Sequence, residues 1–185
     1  MDRKQIDNHQ LASLLVNPST QRKGFENVVN QYSEQLYWQV RRMVCSHEDA
    51  NDILQNAFLK AWDNLGHYRG DSKVSTWLYR IVINETLDFI RRKKVRMGVS
   101  ADYEENGIAN QLMADEYFDG SEAQAMLQEA MQKLPAVQQT VFNLKYFDEK
   151  KYSEISEILG TSEGALKASY HIAVKKITEF FRSRD

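Results

Sequence analysis

A single cysteine, Cys45, stands in the whole chain. One thiol makes no intramolecular disulfide and no cysteine zinc cluster, which fits a reducing cytoplasm. Beside Val44 and Ser46, at the end of an apolar-periodic run, it reads as a small packing residue rather than a nucleophile. Only two prolines and eight glycines interrupt 185 residues, and β-branched alternation is scarce, so the expected class is all-α. No apolar run approaches the roughly 20 residues that span a bilayer. The opening MDRKQIDNHQ has no signal-peptide core. Internal repeats and low-complexity tracts are absent. His47, His67 and His171 have no partners at zinc-ligand spacing and His9 lies apart, so no metal site is expected. A phosphate-cradling glycine loop and a Ser/His/Asp order are also missing. The chain is therefore expected to hold no catalytic residue, no cofactor and no small-molecule substrate. One further absence is local. From Gly98 to Gln132 there are eight acidic residues and no Lys or Arg. Outside that segment 24 basic residues face 18 acidic ones, so the formal net charge of −2 conceals basic surfaces suited to an anionic polymer.

With 42% apolar and 27% charged residues, 185 residues suffice for two small cores. Residues 1–23 read as a polar leader in which Leu11, Leu14 and Leu15 form a short turn before Pro18. A helix is expected from about Gly24 to Val44, with Phe25, Val28, Tyr32, Leu36 and Val40 at three-to-four-residue spacing. Ser46-His47-Glu48-Asp49 is a capping-box pattern that opens a second helix, Glu48 to about Leu65. Its wide apolar stripe runs Ile53, Leu54, Ala57, Phe58, Ala61, Trp62, Leu65. Asp49 and Asp52 share one face of it, where exposed acids are ordinarily just solvated. The loop GHYRGDSKVS follows, with Tyr68 interleaved among Arg69 and Lys73. Such a mixture stacks on an unpaired base, and it is equally the content of an ordinary surface loop.

Trp77 to Met97 combines three features. Trp77, Leu78, Ile81, Val82, Phe89 and Ile90 form an apolar side. Arg80, Asn84, Asp88 and Arg91 form a polar side. Arg91, Arg92, Lys93, Lys94 and Arg96 form a basic end. Taken alone, this is either a nucleic-acid-facing helix or a surface helix whose cations complement its dipole. Residues 98–120 lose periodicity and read as an acidic, flexible linker. Ser121-Glu122-Ala123-Gln124 starts another capped helix that stops before Pro135. A helix from about Ala136 follows, with Val137, Val141, Leu144 and Phe147 on one side. Then Tyr152, Ile155, Ile158 and Leu159 make a short helix, Gly160 a turn, and Thr161 and Ser162 the cap of a second helix. That helix is expected to bury Leu166, Tyr170, Ala173, Val174 and Ile177, and to offer Ser162, Glu163, Lys167, Ser169 and His171. This is helix-turn-helix order, with Lys175 and Lys176 placed further along for phosphates. Glu163 is either an acceptor from a cytosine or a residue favoured by the helix dipole.

Three stretches in this order resemble the extracytoplasmic-function (ECF) subfamily of bacterial sigma-70 factors. They are EDANDILQNAFLKAW, YRGDSKVSTWLYRIVINETLDFIRRKK and LPAVQQTVFNLKYFDEKKYSEISEILGTSEGALK. The resemblance covers residues 24–97 and 121–181. It implies a first domain, 24–97, that binds core RNA polymerase and opens the −10 promoter element, and a second, 121–185, that reads the −35 element. For core polymerase it points to Asp49, Asp52, Gln55, Asn56, Phe58 and Trp62, the two aromatics being core or interface. For −10 DNA it points to Tyr68, Arg69, Asp71, Ser72, Lys73, Arg80, Asn84, Arg91, Arg92, Lys93 and Lys94. For −35 DNA it points to Ser162, Glu163, Lys167, Ser169, His171 and Lys175. It implies core RNA polymerase, promoter DNA and an anti-sigma protein as partners, a cytoplasmic location without membrane insertion, and no enzymatic activity. Departures from the family pattern are Ile172, where a basic residue is common, Lys151 in place of a polar cap, and the small Ala168 and Ser169. The alternative, a stand-alone helix-turn-helix regulator, would need neither Asp52–Leu65 nor the Arg80–Arg96 helix as found.

Reach adds a constraint. Two elements one and a half duplex turns apart are separated by roughly 50–55 Å. A relaxed coil of residues 98–120 spans about 25 Å and the same coil fully extended about 75–80 Å. The linker must therefore be stretched in the working complex.

Overall fold

The computed structural model describes residues 6–97 and 107–184. Those residues form α-helices and connecting turns, as the scarcity of breakers and of β-branched alternation predicts. The helices are α1 (Asn8–Val16), α2 (Gln21–Val44), α3 (His47–Asp63), α4 (Val74–Met97), α5 (Ile108–Met113), α6 (Glu122–Gln132), α7 (Ala136–Phe142), α8 (Tyr152–Leu159) and α9 (Glu163–Arg182).

The leader is more than a turn. Leu11 and Leu15 of α1 are fully buried, each such side chain contributing about 1.5–3 kcal/mol by leaving water. Asn8 Oδ1 accepts from the Val74 amide at 2.8 Å and so caps the start of α4. Gly24 explains how α1 lies so close to α2: a Cβ there would stand 2.8 Å from the Leu14 Cβ. α1 therefore packs against α2 and α4.

Both capping-box sequences act as expected. Ser46 Oγ accepts from the Asp49 amide at 3.2 Å. Ser121 Oγ accepts from the Gln124 amide at 3.3 Å, while Gln124 Oε1 accepts from the Ser121 amide at 2.7 Å. At α8 the cap Lys151 offers no acceptor, and Glu154 supplies the reciprocal half, accepting from the Lys151 amide at 2.9 Å. Gly160 takes φ 66°, the left-handed conformation that the helix-turn-helix turn requires.

Three details differ from the sequence reading. Residues 98–106 of the expected linker lie outside the described residues, but its second half is structured. Within it, α5 buries Ala109 and Leu112 against Ala125 of α6, with Cys45 packed beside them. Val137 is 61% exposed and Val174 37% exposed, so neither joins the core; α7 and α9 are too short of neighbours on those sides to cover them. Finally, α7 does not continue as an α-helix. Asn143–Phe147 widens into a π-helical turn, with the Asp148 amide reaching back to the Asn143 carbonyl at 3.3 Å.

The two domains do not stand apart. Val141, Leu144, Ile155, Ile158 and Leu166 of the second half belong to the same apolar core as Leu36, Val40, Leu78 and Val82 of the first. α4 packs directly against α8.

Candidate nucleic-acid interface

On α3 the inward positions Ile53, Leu54, Ala57 and Ala61 are buried, which turns Asp52, Gln55, Asn56 and Leu59 to solvent. Trp62 remains 42% exposed and Leu59 58% exposed. Phe58 is half-buried and meets Phe25 edge-on at 6.4 Å; Trp62 meets the same ring at 5.3 Å. Phe25, Leu54, Gln55, Phe58, Leu59 and Trp62 line a shallow groove of about 440 Å³. Leu59 is a residue that the stripe reading missed. Its spacing of four from Gln55 and three from Asn56 puts it on the polar row, where an isolated leucine is itself the signal. Asp49, seven residues before Asn56, heads that row. It accepts from Lys93 Nζ at 2.9 Å, tying α3 to α4.

The loop before α4 is built around Tyr68. Its ring is only 7% exposed, lies against Trp77 at 5.0 Å, and its hydroxyl donates to the Ser72 carbonyl at 2.8 Å. Burial raises its pKa above the ordinary phenolic value, Asp71 adding to the effect. Tyr68 is thus the hydrophobic anchor of the loop, and the expectation that it stacks on a base does not hold in this conformation. Arg69, Asp71 and Lys73 are exposed around it, and Ser72 is half-buried.

On α4, Leu78, Tyr79, Val82 and Ile83 are buried, while Trp77, Ile81, Phe89 and Ile90 are half-buried. Arg80 and Asn84 face outward as the spacing requires. Arg80 is engaged: its Nε and Nη2 donate to the Glu157 carbonyl of α8, the first at 2.8 Å. Arg91 pairs with Asp88 at 3.0 Å and Lys93 with Asp49, whereas Arg92 and Lys94 are exposed. Two of the five cations at this end therefore already have carboxylate neighbours.

In the second domain, Ser162 Oγ caps α9 by accepting from the Ala165 amide at 3.3 Å. Glu163, Lys167 and His171 are exposed and Ser169 is half-buried. Lys167 Nζ lies 5.6 Å from the centroid of the Tyr152 ring, and Lys175 lies 4.0 Å from Glu179. Glu163 occupies the first turn of α9, where the helix dipole favours an acid.

No helix among the described residues is long and apolar enough to cross a membrane. No group of three or more His, Cys, Asp or Glu among them could hold a metal ion. Burial pushes the Cys45 thiol up to about 12, against the pull of Arg41 and Lys93, which favours its protonated form.

Comparison with known proteins assigns these domains. A family model for Sigma-70 region 2 matches residues 28–96 and one for Sigma-70 region 4 matches residues 124–177. The ECF RNA polymerase sigma factor SigW of Bacillus subtilis is 35% identical over 156 residues, covering 80% of this chain and 83% of that protein. ECF RNA polymerase sigma factor SigM of Mycobacterium tuberculosis is 30% identical over 147 residues, covering 80% and 71%. Among solved structures, CnrH in complex with the cytosolic domain of CnrY superposes with a TM-score of 0.73 at 20% identity, covering 96% of this chain and 99% of that one. The sigma factor RpoE in complex with the anti-sigma factor NepR from Bartonella quintana gives 0.65 at 19%, covering 86% and 98%. The two region matches, in this order on an all-helical frame and joined to the SigW likeness, place the chain in the sigma-70 family, among its ECF members.

Proposed function

We propose that this chain is a promoter-specificity subunit that acts only with core RNA polymerase. The observation that carries the reading is the presence, in one chain, of a region 2 domain over 28–96 and a region 4 domain over 124–177. A stand-alone helix-turn-helix regulator would have no use for the first. Asp52, Gln55, Asn56, Leu59 and Trp62 of α3 form the docking row for polymerase, polar side chains flanking an apolar strip. Asn84 reads an unpaired base of the −10 element, since its amide both donates and accepts. Arg69, Lys73, Arg80, Arg92 and Lys94 hold the strand by its phosphates. Unstacking a base costs a few kcal/mol, which trapping the flipped base by edge hydrogen bonds offsets without a motor. The start of α9, with Lys167 and His171, enters the major groove at the −35 element. The protein works in the cytoplasm and is not itself a catalyst. By analogy with the RpoE–NepR pair, an anti-sigma protein is its regulator. Run-off transcription with purified core polymerase and a promoter library tests the proposal. Promoter-dependent starts that require the protein are expected. No initiation on any template, or nanomolar promoter binding by the protein alone at physiological salt, would sink it.

A further inference from the structure

The helix α1 is fastened to its neighbour α2 at both ends. Just before it, Ile6 is held twice by Gln31 of α2. The Ile6 amide donates to Gln31 Oε1 at 3.0 Å, and Gln31 Nε2 donates to the Ile6 carbonyl at 3.2 Å. At the other end the last carbonyls of α1 have no partners within the helix, and side chains at the start of α2 supply them. Thr20 Oγ1 donates to the Leu14 carbonyl at 2.9 Å and Gln21 Nε2 to the Leu15 carbonyl at 3.1 Å. With Leu11 and Leu15 fully buried and Gly24 set close against Leu14, α1 is a strut fixed along its length.

This strut reaches both ends of the loop that precedes α4. It packs against the 3-10 turn Leu65–His67, where the loop begins, and against α4, where the loop ends. Lys73 stands at the cap position of α4, its carbonyl accepting from the Trp77 amide at 3.0 Å. A lysine side chain has no acceptor to offer the free amides of a helix start. Asn8 of α1 supplies one from outside, its Oδ1 accepting from the Val74 amide at 2.8 Å. Arg69, Asp71 and Lys73 are therefore exposed on a loop that is fixed at both ends. The helix that fixes it lies outside residues 28–96, which match region 2.

We infer that α1 presets the loop 68–73 for the unpaired −10 strand, with Asn8 as the positioning residue. The inference rests on the function proposed above and gives the leader a part in it. A loop ordered before the strand arrives loses little backbone freedom when it binds. The fraction of molecules with the loop in place is the fraction able to take the strand. Asn8 acts on that fraction through Val74 and touches no DNA group itself.

Two readouts on the full-length protein test this: amide hydrogen exchange of the free protein, and opening of the −10 element with core polymerase. Asn8→Ala removes the acceptor and leaves Leu11 and Leu15 in place. It should speed exchange of the Val74 and Trp77 amides by about fivefold. It should lower permanganate reactivity of −10 thymines by about twofold to fivefold at unchanged affinity for core polymerase. Asn8→Asp keeps an acceptor oxygen and should restore both readouts. Thr20→Val removes the bond to the Leu14 carbonyl, at the end of α1 away from α4. It should lower the thermal midpoint and leave opening and the α4 amides as they were. Unchanged exchange in Asn8→Ala, unchanged opening despite faster exchange, or an equal loss of opening in Thr20→Val overturns the positioning role. Faster exchange in Asn8→Ala, in a protein whose parent opens no promoter, leaves α1 as the support of the loop and removes the proposed function.

Discussion

Single residues carry the contrast between what the pattern reveals and what it hides. Asn84 was legible: it sits four after Arg80 on a face opposite Val82, and it is exposed. Asn84→Ala should abolish strand opening at the −10 element, read by permanganate reactivity of thymines, and leave polymerase association unchanged. Weaker association instead would reassign the residue. Tyr68 was not legible, because an aromatic between cations has the same sequence whether its ring points out or in. Its burial against Trp77 makes it a stability residue. Tyr68→Ala should cost about 3–5 kcal/mol of folding free energy in chemical denaturation. Tyr68→Phe, which loses only the bond to the Ser72 carbonyl, should cost about 1 kcal/mol. A folded, stable Tyr68→Ala variant defective only in promoter opening would return the ring to the DNA.

Elements were read best where a local rule fixes them. The caps at Ser46 and Ser121 and the left-handed turn at Gly160 are short-range devices, determined by three or four neighbouring residues. Gly160 gives a clean case, since nothing lies within 4 Å of where a Cβ would stand. Gly160→Ala should therefore destabilise by backbone strain alone, about 1–2 kcal/mol, visible as a lower thermal midpoint with the helix content retained. An unchanged midpoint would mean that the turn relaxes to another conformation. The first helix was underread for the opposite reason. Leu11, Leu14 and Leu15 are a short apolar group in an otherwise polar leader, and the value of the two that are buried comes from Gly24 and Val74 far along the chain. The same holds for the linker: α5 is too short to stand by its own propensity, and it forms against α6 and Cys45.

At the scale of the whole molecule, the division into two helical domains followed from composition and motif order, but their embrace did not. Val141, Leu144, Ile155 and Ile158 have the spacing of any inward helix face, and nothing in that spacing says whose core they enter. The closed shape has a direct expectation: a compact chain of 185 residues has a radius of gyration of about 16 Å. Small-angle scattering of the free protein should return that value, and two separated domains would exceed it clearly. The π-helical turn at Asn143–Phe147 ties this shape to the reading frame of the helix. The hydrogen bond there closes over five residues where an α-helix closes over four. If the same residues wound as an ordinary α-helix, everything downstream would be rotated by about 100°. Asp148 would swing out of phase with Arg42, its ion-pair partner, while α8 and α9 kept their own packing. The turn thus works as a gear tooth: straighten it, and the same two domains would fold without meshing.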